Sequence, residues 1–316
     1  MTGVDVLTLG ETMVSLRTGT ALRLGGTLEM TMAGAESNVA IGLARLGHSV
    51  RWAGRVGVDE VGTFILRCLR AESVLVDTVT LDPDRPTGLM LAERRINDLS
   101  RVSYYRVGSA GSALCPADAA ASLTPVPRVL HVTGITPALS DTAAAAVREA
   151  VRLAKAAGAL VSVDVNYRAK LWTEKIARPV LSALARSADL VIASDDELAL
   201  FVDDPLDEAA ACAELATFGV RQLVIKRGAH GASVWHDGQV EHAPAISVSV
   251  RDTIGAGDAF TAGYLSAILD GLSPVEALRR GTVTGAFAVA TVGDWEGAPT
   301  RAELGLLQEP PGATLR

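Results

Sequence analysis

Val129-Leu130-His131-Val132 and Leu160-Val161-Ser162-Val163-Asp164-Val165 are two short, nearly unbroken apolar runs separated by a segment of helix length. Runs of this kind suit strands covered on both faces, as in a parallel sheet. The intervening residues 141–157 read as a helix, with Asp141 where an N-cap belongs and Gly158 where a helix stops. The pattern goes on with strands at 190–192 and 223–225 and helices at 174–186 and 206–218. Repeated strand–helix–strand units join by right-handed crossovers, which predicts an α/β fold: a doubly wound, mainly parallel sheet with helices on both faces.

The N-terminal third carries the same pattern with an interruption. Residues 37–46 read as a helix with Val39, Leu43 and Leu46 on one face and Gly47 just beyond, and 61–69 as another with Val61, Ile65 and Leu69 aligned. Two other segments differ. Residues 22–32 are Gly- and Thr-rich and extended, and 87–107 read as two strands joined by the polar turn Asn97-Asp98. Together they predict a small β-sheet lid, too slight to fold alone, that leans on the large domain or on a partner subunit. The expected division is a main α/β domain from 1–12, 33–85 and 108–316, with 13–32 and 86–107 as the lid. Residues 309–316 read as a frayed end.

Hydrophobic residues make up 49% of the 316-residue chain and charged residues 21%, which fits a folded protein with a substantial core. No run reaches the roughly eighteen uninterrupted apolar residues of a membrane span. The first strand-like run starts almost at Met1, with no secretory signal before it. The net charge of −7 argues against broad electrostatic binding to nucleic acid. Cys68, Cys115 and Cys212 are scattered, as expected of reduced thiols in the cytoplasm, and Cys68 falls in an apolar helical pattern that suits packing. The five histidines show no metal-ligand spacing, and His131 reads as a core residue.

The strongest chemical signal is Asp252-Thr253-Ile254-Gly255-Ala256-Gly257-Asp258, followed by Phe260, Tyr264 and Ile268 at helical spacing. Two glycines at a helix start leave backbone N–H groups unpaired and unobstructed. The helix dipole favours negative charge there, so the turn suits a phosphoryl group. Asp258 stands beside that anion site, placed to accept a proton from an attacking hydroxyl. The plainer alternative is a tight loop with Asp258 as a helix cap, and spacing alone leaves both open. No Gly-x-x-x-x-Gly-Lys-Ser/Thr motif occurs, so a Walker-type site is excluded.

These residues resemble the signature Asp-Thr-x-Gly-Ala-Gly-Asp of the ribokinase-like, pfkB-type carbohydrate kinases. The resemblance spans the chain through Gly34-Ala35-Glu36-Ser37-Asn38-Val39-Ala40, Ala44-Arg45-Leu46-Gly47 and Gly54-Arg55-Val56-Gly57-Val58-Asp59-Glu60-Val61-Gly62. Within the family, Tyr104-Tyr105-Arg106, Gly134-Ile135-Thr136-Pro137, Asp164-Val165-Asn166-Tyr167-Arg168 and Gly293-Asp294-Trp295-Glu296 look most like 2-keto-3-deoxygluconate kinases. A sugar acid carries a carboxylate, which planar guanidinium groups recognise in pairs of hydrogen bonds; Arg106 and Arg168 are the candidates.

By matched position the resemblance implies that Asp258 is the base, with Gly255, Ala256 and Gly257 forming the anion turn. Gly34 and Asn38 would hold sugar hydroxyls, Tyr104, Arg106, Ile135 and Arg168 would complete the pocket, and Asp294 would reach it from the C-terminal side. ATP would lie along Ser194, Lys226, Gly228, Gly231 and Gly255–Gly257. Magnesium would arrive with ATP and be supported by Glu197 through water, and potassium would sit near Asp252. Two positions depart from the pattern: Ser194 stands in Ser194-Asp195-Asp196-Glu197 where many relatives have asparagine, and Met90 where tyrosine often faces the sugar. The expectation is phosphoryl transfer from ATP to a primary hydroxyl of a small sugar acid, with a neutral sugar such as fructose or ribose as the alternative. A homodimer or higher homo-oligomer through the lid is the expected assembly. Other classes weighed were a non-catalytic sugar or nucleotide sensor, and an NAD-dependent oxidoreductase, discounted because no Gly-x-Gly-x-x-Gly follows the first strand.

Overall fold

The apolar runs that open the sequence argument lie side by side in an eight-stranded sheet, His131 opposite Ser162. The computed structural model describes residues 3–94, 100–202 and 208–308. In chain order the N-terminal strands are β1 (Val6–Leu9), β2 (Met13–Thr18), β3 (Glu29–Ala33), β4 (Val50–Ala53), β5 (Arg55–Gly57), β6 (Thr80–Asp82), β7 (Leu89–Arg94) and β8 (Ser100–Tyr105). Then follow β9 (Val129–Thr133), β10 (Leu160–Asp164), β11 (Leu190–Ser194), β12 (Gln222–Lys226), β13 (Ala232–His236) and β14 (Gln239–Ala243). The α-helices are α1 (Ala35–Arg45), α2 (Glu60–Ala71), α3 (Pro116–Ser122), α4 (Asp141–Ala156), α5 (Glu174–Ala185), α6 (Glu208–Ala216), α7 (Ala256–Leu269) and α8 (Pro274–Val289).

The large sheet runs β14-β13-β12-β11-β10-β9-β1-β4. It is parallel from β4 to β12, and the hairpin β13–β14 closes one edge antiparallel. The parallel strands are apolar throughout because both faces are covered. On one face α3, α4, α5 and α6 pack around Leu130, Val161 and Val191; on the other α1, α2, α7 and α8 pack around Val6, Ile192 and Val224. The doubly wound sheet expected from the sequence is therefore present. In α4, Ala143, Ala146, Val147, Ala150, Val151 and Ala154 form one buried stripe, and the small alanines let the helix lie close to the sheet.

Several expectations shift in detail. Helix α4 is capped by Ser140, whose hydroxyl accepts the Ala143 N–H at 3.0 Å, rather than by Asp141, which occupies the first helical position where its charge suits the dipole. The helix expected over 206–218 spans Glu208–Ala216, and its expected start lies outside the described residues. Residues 22–32 are not uniformly extended: Leu22–Leu24 form a 3-10 turn, and the strand begins at Glu29. The expected turn Asn97-Asp98 falls outside the described residues. Cys68 is half-buried against the core, not sealed within it.

A separate four-stranded sheet runs β3-β2-β7-β8, with β2 parallel to β7 and antiparallel pairs on either side. Met13, Ala33 and Met90 are buried together on one face, with Val102 against them. Leu28, Met30, Tyr105 and Val107 remain exposed. The chain passes between this sheet and the body four times: at 10–12, at Gly34, at 83–88 and at 106–110. Glu11 sits among these crossings, where side chains at Gly88 or Gly111 would press on it and one at Gly34 would press on its carbonyl.

Candidate active site

Gly255 is the N-cap of α7 in the left-handed region, with φ 75°, and makes no side-chain cap. A Cβ there would collide with the Asp294 carbonyl, so glycine is required both for the φ and for the close approach. The first N–H groups of α7 are consequently left for a ligand. Asp258 does not cap the helix; it lies within the first turn, buried, and its Oδ2 accepts Asn38 Nδ2–H at 2.8 Å. Burial pushes the Asp258 carboxyl up to about 7, although the Asn38 hydrogen bond and the charges of Arg168 and Lys226 pull it down. A carboxylate poised near neutrality is matched to taking a proton at that pH.

A single cavity of about 1180 Å³ brings together every residue singled out from the sequence except Asp252, which stands just behind the glycine turn. Its size suits two ligands better than one small sugar. On the sugar side, Gly34 and Asn38 come from the start of α1, and Ile135 and Arg168 follow β9 and β10 at the carboxyl ends of central strands. Tyr104 comes from β8, and Met90, Met13 and Val102 supply an apolar wall. Arg106 is not free: its Nε and Nη2 both donate to Glu11 Oε2, at 2.7 and 2.5 Å, and its guanidinium lies 5.7 Å from the Tyr104 ring centre. Arg168 is exposed and has no side-chain partner among the described residues. Asp294 is paired with Arg17. Burial pushes its carboxyl up to about 6 against that pairing.

On the nucleotide side, Lys226 Nζ donates to Asp164 Oδ2 at 2.7 Å, and Thr261 donates to the same oxygen at 3.0 Å. Burial works against the Lys226 ammonium, but Asp164 and Glu197 outweigh it and hold its pKa above the ordinary value. A Cβ on Gly257 would lie 3.5 Å from Lys226 Nζ, so the cation faces the anion turn. Glu197 accepts N–H groups of Tyr167 at 2.6 Å and Ser194 at 2.8 Å, and the Ser194 hydroxyl also donates to it. Its carboxyl is raised by burial and by nearby Asp164. Gly228 opens onto free space, whereas Gly231 is needed for packing, since a Cβ there would strike the Ala243 carbonyl.

The donor set fits a hard divalent cation that keeps most of its waters. Asp164 Oδ1 is buried with no partner among the described residues, and the Glu197 carboxylate lines the same cavity. Among the described residues no group of three His, Cys, Asp or Glu is arranged to hold a metal, so such an ion would need phosphate oxygens as well. Potassium fits the Asp252 side chain poorly: Arg17 already faces Oδ2 at 3.3 Å, and the N–H groups of Ile254 and Gly293 approach at 3.1 and 3.4 Å.

Five side chains at or beside the cavity escaped the sequence reading. Asp164 was detectable, being a carboxylate that ends an apolar central strand. Lys170, just past Arg168, donates to the Val102 carbonyl of β8 at 2.9 Å and stands 5.9 Å from the Tyr104 ring. Glu11, Arg17 and Glu36 carry no local pattern. Glu36 is buried and takes hydrogen bonds from Thr133 at 2.7 Å and Thr136 at 2.6 Å.

Residues 5–301 match the model of the pfkB family carbohydrate kinases. The chain is 37% identical over 309 residues to 2-dehydro-3-deoxygluconokinase of Bacillus subtilis (strain 168), covering 95% of this chain and 94% of that one. It is 36% identical to the protein of the same name from Thermoproteus tenax, covering 95% and 93%. The crystal structure of a PfkB protein from Polaromonas sp. JS666 superposes with a TM-score of 0.86 at 36% identity, covering 96% of this chain and 99% of that one. A glycine turn opening α7, a carboxylate seated in its first turn and similarity along nearly the whole chain agree: this protein belongs to the pfkB family of carbohydrate kinases.

Proposed function

We propose that the chain phosphorylates a small sugar acid, 2-keto-3-deoxygluconate, at a primary hydroxyl with ATP as donor. The observation that carries this reading is the Asn38–Asp258 hydrogen bond beside the open N-terminus of α7, with Arg168 and Lys170 on the sugar side. The similarity to two proteins named 2-dehydro-3-deoxygluconokinase supports the choice of substrate.

Asn38 and Gly34 orient the sugar so that its hydroxyl meets Asp258, which takes the proton as the oxygen attacks the γ-phosphorus. The bond to the β–γ bridging oxygen breaks, ADP leaves, and the Gly255–Gly257 N–H groups with Lys226 stabilise the charge that develops. Magnesium bound with ATP would neutralise phosphate charge, with Asp164 and Glu197 as its protein-side oxygens. Arg168 and Lys170 attract the sugar carboxylate, while Arg106, neutralised by Glu11, orients more than it attracts. The small sheet acts as a lid, made of residues 13–32 and 86–107, that keeps water from the γ-phosphate. Its exposed Met30, Tyr105 and Val107 suit pairing with a second copy in a homodimer. An ATP-using enzyme with unpaired cysteines fits the cytoplasm. Potassium near Asp252 has the least support, because Arg17 occupies that charge, and no step depends on it.

Pairing of Arg106 with Glu11 favours the neutral-sugar alternative to a limited degree, since it leaves fewer cations for a carboxylate. ADP release measured with 2-keto-3-deoxygluconate, fructose, ribose and gluconate separates the two. A higher kcat/KM with fructose or ribose overturns the sugar-acid reading.

A further inference from the structure

Arg17 lies towards the far end of β2, an inner strand of the small sheet, and its guanidinium reaches out of that sheet to two carboxylates of the body. Nη1 donates to Asp252 Oδ2 at 3.3 Å, Nη2 to Asp294 Oδ2, and Nε is steadied by Ser15 Oγ at 3.3 Å. All three charged side chains are largely removed from water, at 15% exposure for Arg17, 13% for Asp252 and 6% for Asp294. This is unlike a rim ion pair, which solvent would screen. From the neighbouring strand, Thr31, opposite Ser15 in the register, donates to Glu296 Oε1 at 2.6 Å. Two strands of the small sheet therefore end on one acidic loop.

That loop is anchored to the body. Arg45 of α1 donates to the carbonyls of Trp295, Glu296 and Ala298 at 3.4, 3.1 and 2.7 Å. The Asp294 backbone packs directly on Gly255, close enough to forbid a side chain there. Asp252, the other partner of Arg17, accepts the Ile254 N–H through Oδ1 and so shapes the turn that leads into Gly255. Both carboxylates held by Arg17 are thus parts of the wall behind the anion turn.

We infer that Arg17 is a positioning residue for phosphoryl transfer: it latches the small sheet onto the glycine turn, so that a closed sheet and a correctly shaped anion site occur together. Arg17 does not line the cavity and touches neither ligand. Its effect is carried by Asp252 and Asp294. A guanidinium is needed because two carboxylates and a serine hydroxyl must be met at once by a planar fork, which an ammonium cannot reproduce. When the latch is open, ATP bound at the turn meets water instead of a sequestered sugar hydroxyl.

This inference rests on the kinase reading but not on which sugar is used. The test takes the full chain and its best substrate from the sugar panel, and compares Arg17→Gln and Arg17→Lys with wild type. Three quantities are read: the ratio of sugar phosphate to ADP formed, KM for the sugar, and the thermal midpoint. The latch predicts that in both variants the ratio falls and KM for the sugar rises, each by about tenfold, within the range of coupling between linked sites. ATP hydrolysis without sugar should rise over wild type. Arg17→Lys retains a charge among the carboxylates, so it decides the matter should Arg17→Gln fail to fold. A folded Arg17→Lys enzyme with wild-type ratio and KM overturns the latch. Absence of sugar phosphorylation by wild type would instead overturn the kinase reading, so the two failures are distinct.

Discussion

Asn38 and Asp258, 220 residues apart, meet through a 2.8 Å hydrogen bond that joins the first turn of α1 to the first turn of α7. Both helices pack on the same face of the large sheet, and their N-termini converge on the cavity. The residue that would orient the sugar is thereby fixed to the residue that would deprotonate it. Proximity of this kind lowers a barrier by having the geometry in place before reaction.

Asp258→Asn should lower kcat by about 10²–10⁴-fold, the usual worth of a positioned base, while leaving sugar KM within a few-fold. Steady-state kinetics with coupled ADP detection checks this. Near-normal turnover would remove Asp258 from the base role.

The same substitution should raise thermal stability above neutral pH. The Asp258 carboxyl ionises near pH 7 in the fold against an ordinary value of 3.8. Its native pKa is raised, so its ionised form costs stability as pH climbs from about 4 to 7, and the cost is complete above pH 7. Melting curves of wild type and Asp258→Asn at pH 5 and pH 8 should diverge, with the variant more stable at pH 8. Turnover of wild type should rise with pH through an apparent pKa near 7, as the base form accumulates.

Arg168→Ala should raise KM for a sugar acid by about 10–100-fold, as expected for loss of a hydrogen bond to a charged group. With fructose as a comparison substrate the change should be small. An equal loss on both substrates would show that Arg168 shapes the pocket without reading the carboxylate.

Glu11→Gln should destabilise the protein by about 3–5 kcal/mol, because it leaves Arg106 buried with its charge unanswered at the crossings between body and sheet. Urea denaturation measures this. A double variant, Glu11→Gln with Arg106→Met, should recover part of the stability and lose sugar binding.

Much of the fold was written in local patterns. Strands such as β9 and β10 are apolar on both faces because helices cover both, and this periodicity survives in a single sequence. The glycine turn was equally legible, since φ 75° at Gly255 and a bare helix start demand glycine. The Ser140 cap was misassigned by one residue because Ser140 and Asp141 are both good caps, and only the Ser140 hydroxyl reaches the Ala143 N–H. The hairpin β13–β14 mixes Ser, His, Gln and Glu into strands at the sheet's edge, where one-sided burial weakens the pattern. Arg17, Glu11 and Lys170 were illegible for a different reason. Their partners lie far along the chain or on another sheet, and no spacing rule ties an arginine at 17 to a carboxylate at 294.

The placement of that last pair has a consequence for how the protein is made. Every strand of the small sheet emerges from the ribosome within the first third of the chain, but the loop on which it settles comes near the end. Until residues 252–296 have been synthesised there is no glycine turn to hold ATP and no carboxylate for Arg17. A nascent chain can therefore assemble much of its parallel sheet without an ATP-consuming centre, and contacts of such long sequence separation form last. The order of synthesis keeps the unfinished protein inert.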